Sequence, residues 1–109
     1  MLIDFDKIQT TELKNFYGGD GSLLAKMYQD ENNKILKGTL EPGSNIGLHT
    51  HETSSEIIFV LSGRGEVLYD GELIPLFAGD CHYCKRGSAH SLRNNAKEAL
   101  VFYAVVPQH

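Results

Sequence analysis

The sequence has no apolar stretch near the ~20 residues that cross a bilayer as a helix. Its start, Met1 to Gln9, alternates Asp and Lys with apolar residues where a signal peptide would carry an apolar core. A cytoplasmic protein is the resulting expectation. Basic residues are also scarce, 10 Lys and Arg against 14 Asp and Glu, for a formal charge of −4 with no basic block. That leaves no electrostatic footprint for a nucleic-acid backbone and disfavours an anionic lipid surface on the same ground. Two cysteines in 109 residues are too few to staple a small secreted scaffold, and a chain of this length buries enough apolar area to fold without staples. Repeats, low-complexity segments and an apolar helical face are absent as well. The rest of the composition, 41% hydrophobic and 22% charged, is that of one ordinary globular domain.

What is present is the punctuation of an all-β fold. Eleven glycines break the chain into short runs rich in Val, Ile, Leu, Phe and Tyr, the spacing of a sandwich or barrel. Leu23 to Gln29 and Ile35 to Leu40 read as a hairpin around Asp30-Glu31-Asn32-Asn33, closed by Glu41-Pro42-Gly43. Glu56 to Leu61 is apolar on both parities, which predicts a central strand buried on both faces. Glu66 to Tyr69 and Glu72 to Leu76 flank Asp70-Gly71, a type I′ turn signal. Pro75 cannot donate to a ladder, so the second of these strands is expected at an edge or a bulge. Cys81 to Cys84, Ala89 to Arg93 and Ala99 to Val106 complete about nine short strands. Residues 1 to 21 are weakly patterned and are expected as an arm, with the barrel over residues 22 to 109.

Four residues stand out as metal ligands: His49, His51, Glu56 and His90. On an extended segment His49 and His51 project to one face, with Thr50 pointing away. Glu56 opens the following strand, after the turn residues Glu52-Thr53-Ser54-Ser55. His90 can join them only if a distant strand closes over the site. Taken singly, a His near a turn or a Glu at a strand start is ordinarily solvated; the constellation is what carries weight.

Gly43, five residues, His49-Thr50-His51, four residues, Glu56, six residues, Gly63 resembles the first motif of the cupin superfamily. Gly79, five residues, Lys85-Arg86-Gly87, two residues, His90, three residues, Asn94 resembles the second. Lys85 is the one departure, standing where the family usually has Pro; its absence loosens the turn before Gly87 without removing a ligand. The resemblance implies a double-stranded β-helix, a single-domain jelly-roll barrel. It also implies one divalent metal ion inside, held by His49, His51, Glu56 and His90. All four ligands are present.

Three imidazoles and a carboxylate suit Fe, Mn, Ni, Zn, Co or Cu, and four protein ligands leave positions open for a small-molecule ligand or substrate. Dioxygenase chemistry with iron, or isomerase, decarboxylase or lyase chemistry with a Lewis-acidic ion, would follow. Glu56 and Tyr83 are the leading catalytic candidates, with Glu52, Tyr69 and Tyr103 as further acid–base groups. A non-catalytic binding or sensing module is the alternative. Lys85 and Arg86 read as a solvated basic turn, or as positive charge at the barrel mouth. Cys81 and Cys84, three apart on a strand, point to opposite faces and read as inert thiols, and His82 and His109 as surface or packing residues. Asn94 is expected to tie down its turn through its side chain. Ile57, Phe59 and Leu61 on one parity and Ile58 and Val60 on the other cannot all face one small interior, so the other sheet's edge, the arm of residues 1 to 21 or a second subunit must cover the outer face, and a homodimer is expected.

Overall fold

The computed structural model describes all 109 residues. It contains ten strands: β1 (Thr11–Lys14), β2 (Ser22–Gln29), β3 (Asn33–Leu40), β4 (His49–Thr50), β5 (Glu56–Ser62), β6 (Arg64–Tyr69), β7 (Glu72–Phe77), β8 (Cys81–Cys84), β9 (Ala89–Arg93) and β10 (Leu100–Pro107). They form a six-stranded sheet in the order β1-β2-β3-β10-β5-β8 and a four-stranded sheet in the order β4-β9-β6-β7. Every pairing is antiparallel. The chain crosses between the sheets and folds them over one core, the jelly-roll arrangement that the cupin resemblance implies.

Strand alternation decides what lies inside. Leu36, Ile58, Val60, Leu92, Leu100 and Phe102 point inward and are almost fully buried. On β10 the buried residues Leu100, Phe102, Ala104 and Val106 alternate with more exposed ones. The β6–β7 hairpin turns at Asp70-Gly71 with φ of 48° and 84°, and β7, which carries Pro75, is an edge strand. Buried Asn94 anchors its turn as expected, donating from Nδ2 to the carbonyls of Leu40 and Glu98, each at 2.8 Å.

Two expectations need correction. β5 is central, between β10 and β8, but only its inner face is buried in the single chain. Ile58 is 1% and Val60 3% exposed, against 47% for Phe59 and 40% for Leu61, and Phe5, stacked on the neighbouring Tyr103, covers that outer face only in part. The first 21 residues, expected as a weakly patterned arm, carry a strand and dock on the barrel. β1 pairs with β2 from Thr11 opposite Ala25 to Lys14 opposite Ser22, and Leu13 and Phe16 pack against the core. Thr11-Glu12-Leu13-Lys14 has one apolar residue, too little alternation to read as a strand without its partner.

Candidate metal centre

The two sheets bring four ligating side chains to one point inside the barrel. His49 on β4 lies directly opposite His90 on β9. His51 follows β4 immediately and is fixed by its own backbone, its N–H donating to the Ser88 carbonyl at 3.0 Å. Glu56 opens β5 in the other sheet. The side-chain donor atoms all lie within 4.8 Å of one another. His90 Nε2 is 2.9 Å from Glu56 Oε1, 3.0 Å from His51 Nε2 and 3.1 Å from His49 Nε2. His51 Nε2 is 3.1 Å and His49 Nε2 3.9 Å from the same carboxylate oxygen.

Each ring is held from behind through Nδ1. His49 Nδ1 donates to the Gly47 carbonyl at 2.8 Å, which leaves its Nε2 lone pair facing the centre. His51 Nδ1 lies 2.8 Å from Ser54 Oγ and His90 Nδ1 3.0 Å from His82 Nε2. Partners of this kind set the tautomer and aim of a ligating histidine. Burial works to raise the Glu56 carboxyl, but His49, His51 and His90 around its oxygen outweigh that and hold it well below the usual carboxylate range. It is therefore an anion at neutral pH, as a ligand must be.

The donor set fits a metal ion. Nitrogen lone pairs and an anionic oxygen about 3 Å apart repel unless a cation or protons sit between them. Four of the separations are 2.9 to 3.1 Å and the His49–Glu56 separation is 3.9 Å, distances that one ion with bonds of about 2.1 Å can bridge. The donors open onto a cavity of about 360 Å³ walled by Leu36, Ile46, Ile58, Leu92, Phe102 and Val106, among others.

A family model described as Cupin domain matches residues 36–106. The chain is a cupin. Over 112 aligned residues it is 32% identical to an oxalate-binding protein of Thermotoga maritima, covering 97% of this chain and 93% of that one. A Thermotoga maritima crystal structure described as a predicted oxalate decarboxylase superposes with a TM-score of 0.93 at 29% identity, over all of both chains. The cupin domain of Schizosaccharomyces pombe Cnp3 shares the fold alone, with a TM-score of 0.80 at 14% identity, covering 97% of this chain and 72% of that one.

The other sequence candidates of this cupin do not gather at the centre. Tyr83 is half exposed, because on β8 it alternates with the buried His82 and Cys84 and so faces outward. Tyr103 also lies on the outer face, stacked on Phe5 with ring centroids 5.4 Å apart. The Tyr69 hydroxyl accepts from the Lys85 backbone N–H at 3.4 Å and donates to Ser88 Oγ at 3.4 Å, which makes it a brace for the turn before His90. Of the proposed acid–base groups, only Glu52 joins the ligand Glu56 on the cavity wall. Lys85 and Arg86 are exposed, and Arg86 Nε donates to the Glu52 carbonyl at 3.3 Å. Cys81 is exposed and Cys84 buried, both free thiols. Burial, reinforced by Glu56 and Asp70, pushes the Cys84 thiol up to about 12, so it remains protonated and inert. His109 at the chain end packs its Nε2 2.9 Å from Ser55 Oγ.

Two residues of the site escape the sequence reading. His82, read as surface or packing, is buried behind His90. Burial, and then His90 beside it, push it down to about 4. It is therefore neutral at pH 7, and its Nε2 can accept from His90 Nδ1–H. The signal was its parity: on a strand it shares a face with Cys84, and Cys84 pairs with Glu56. Tyr17 lies flat on the His49 ring, with centroids 4.1 Å apart and planes 9° apart. Its backbone is left-handed at φ 53°, and the segment is pinned where Gly47 N–H donates to the Phe16 carbonyl at 2.9 Å. A Cβ at Gly47 would run into the Tyr17 carbonyl, so only glycine admits this close approach. No pattern in the first 21 residues points to this contact.

Proposed function

We propose that this cupin holds one divalent metal ion through His49, His51, Glu56 and His90 and uses it to bind a small chelating carboxylic acid. The observation that carries this reading is the convergence of four donors, the three histidines among them oriented from behind, at the wall of a cavity large enough for a small molecule. The relative named for oxalate binding makes oxalate the first probe. In titration calorimetry, manganese-loaded protein should bind oxalate and metal-free protein should not. His51→Ala should lose both metal and oxalate. Equal oxalate binding by loaded and metal-free protein, or no binding of oxalate or any other chelating acid by the loaded protein, would contradict the reading.

A catalytic reading is favoured by Glu52, an exposed residue at the cavity's edge next in sequence to His51. When bound, the ion supplies Lewis-acid polarisation of a coordinated carbonyl. Glu52 then serves as the base that takes a proton from the carbon beside that carbonyl. With pyruvate, which unlike oxalate carries such protons, exchange into deuterated water slowed at least tenfold in Glu52→Gln is the expected result; no exchange, or an unaffected variant, contradicts it.

We also propose that a second copy of the chain covers the outer face of β5, β8 and β10. There Phe59 lies opposite Tyr103 and Ile57 opposite both Tyr83 and Val105, a contiguous apolar surface of the kind soluble monomers rarely leave open.

A further inference from the structure

The cavity in front of the four donors does not match a bare dicarboxylate. At about 360 Å³ it has the space of about a dozen waters at ~30 Å³ each, of which oxalate would fill well under half. Its lining is mixed, with Thr50, Thr53, Ser54, Gln108 and Lys34 among its polar residues beside the four donors. The part contributed by Leu36, Ile46, Ile58, Leu92, Phe102 and Val106 is hydrocarbon, and all six side chains are less than a tenth exposed. Carboxylate oxygens turned toward that part lose water without gaining donors, whereas carbon placed there gains burial.

We infer that the ligand is a carboxylic acid with two parts, a chelating head such as a 2-oxo or 2-hydroxy acid and a branched or aromatic apolar body that fills the hydrocarbon pocket. This deepens the metal-and-acid reading above and rests on it. The head meets the centre formed by His49, His51, Glu56 and His90, and the body lies against Ile58 and Phe102. Specificity then comes from the pocket, because the head is common to many acids.

The test is titration calorimetry of the manganese-loaded protein with oxalate, pyruvate and 4-methyl-2-oxopentanoate. The last two share one chelating head and differ only in apolar body. Burial of the extra carbons predicts that 4-methyl-2-oxopentanoate binds at least about tenfold more tightly than pyruvate, and more tightly than oxalate. Leu36→Phe, which fills part of the pocket, should reduce that ratio. Val106→Leu, a smaller increase in volume, should reduce it in the same direction where the larger residue impairs folding. A ratio near one, or oxalate as the tightest ligand, overturns the apolar-body inference while leaving the metal-and-acid reading intact. Retention of manganese with no binding of any of the three acids overturns both.

Discussion

At the residue scale, the centre depends on what stands behind each ligand. His90 is the ligand nearest the other three, and its Nδ1 rests on His82. Removing that partner in His82→Ala should weaken metal affinity by about tenfold or more while the ligands themselves are unchanged. Metal titration monitored by competition with a chelator measures it; unchanged affinity would mean that His90 is oriented by the strand alone. The same residue makes a pH prediction for the metal-free protein. Its pKa falls from 6.5 to about 4 on folding, so the unfolded chain takes up the proton first as pH drops. The stability His82 permits is fully present above about 6.5, is lost as pH falls toward 4 and changes no further below that. Urea midpoints across this window should fall less steeply in His82→Gln than in wild type; parallel profiles would assign the acid sensitivity elsewhere. The grouping of His49, His51 and Glu56 was legible in the sequence because it follows from strand parity and turn length, and His90 joined it through the second cupin motif. His82 was not, since its role depends on how β8 pairs with β5.

At the element scale, the β6–β7 hairpin shows where local chemistry suffices. A type I′ turn needs positive φ at both central residues, and Asp70 and Gly71 adopt it. A Cβ at Gly71 would meet nothing within 4 Å, so Gly71→Ala costs only backbone strain, about 1 kcal/mol. A correspondingly lower urea midpoint with unchanged metal affinity is the expected outcome. A larger loss, or weakened metal binding, would show that the hairpin also supports the site. β1 and β5 show where local chemistry runs out. β1 is a strand because β2 offers it an edge. β5 reads as doubly buried from its apolar residues, yet Phe59 and Leu61 on its outer face stay exposed in the single chain. Tyr83 failed as a site residue for a related reason: a strand aims alternate side chains oppositely, and parity could not be anchored until Glu56 was paired with Cys84.

At the scale of the whole molecule, the fold's contribution is closure. His49, His51 and His90 belong to one sheet and its margin and Glu56 to the other, so the centre exists only when both sheets are packed. That is why the jelly roll and its ligand set could be read together from two motifs, while the size and apolar character of the cavity could not. The proposed dimer belongs at this scale too. Sedimentation equilibrium should give twice the chain mass of 12.1 kDa, and Phe59→Glu should give a folded monomer; a monomeric wild type would remove the dimer from the account.

The most direct test of the central claim is elemental analysis of protein purified without chelator or nickel resin, beside His90→Ala prepared identically. The account predicts close to one divalent metal ion per wild-type chain and its loss from the folded variant. A wild type that holds no metal, or a variant that holds as much, would contradict it.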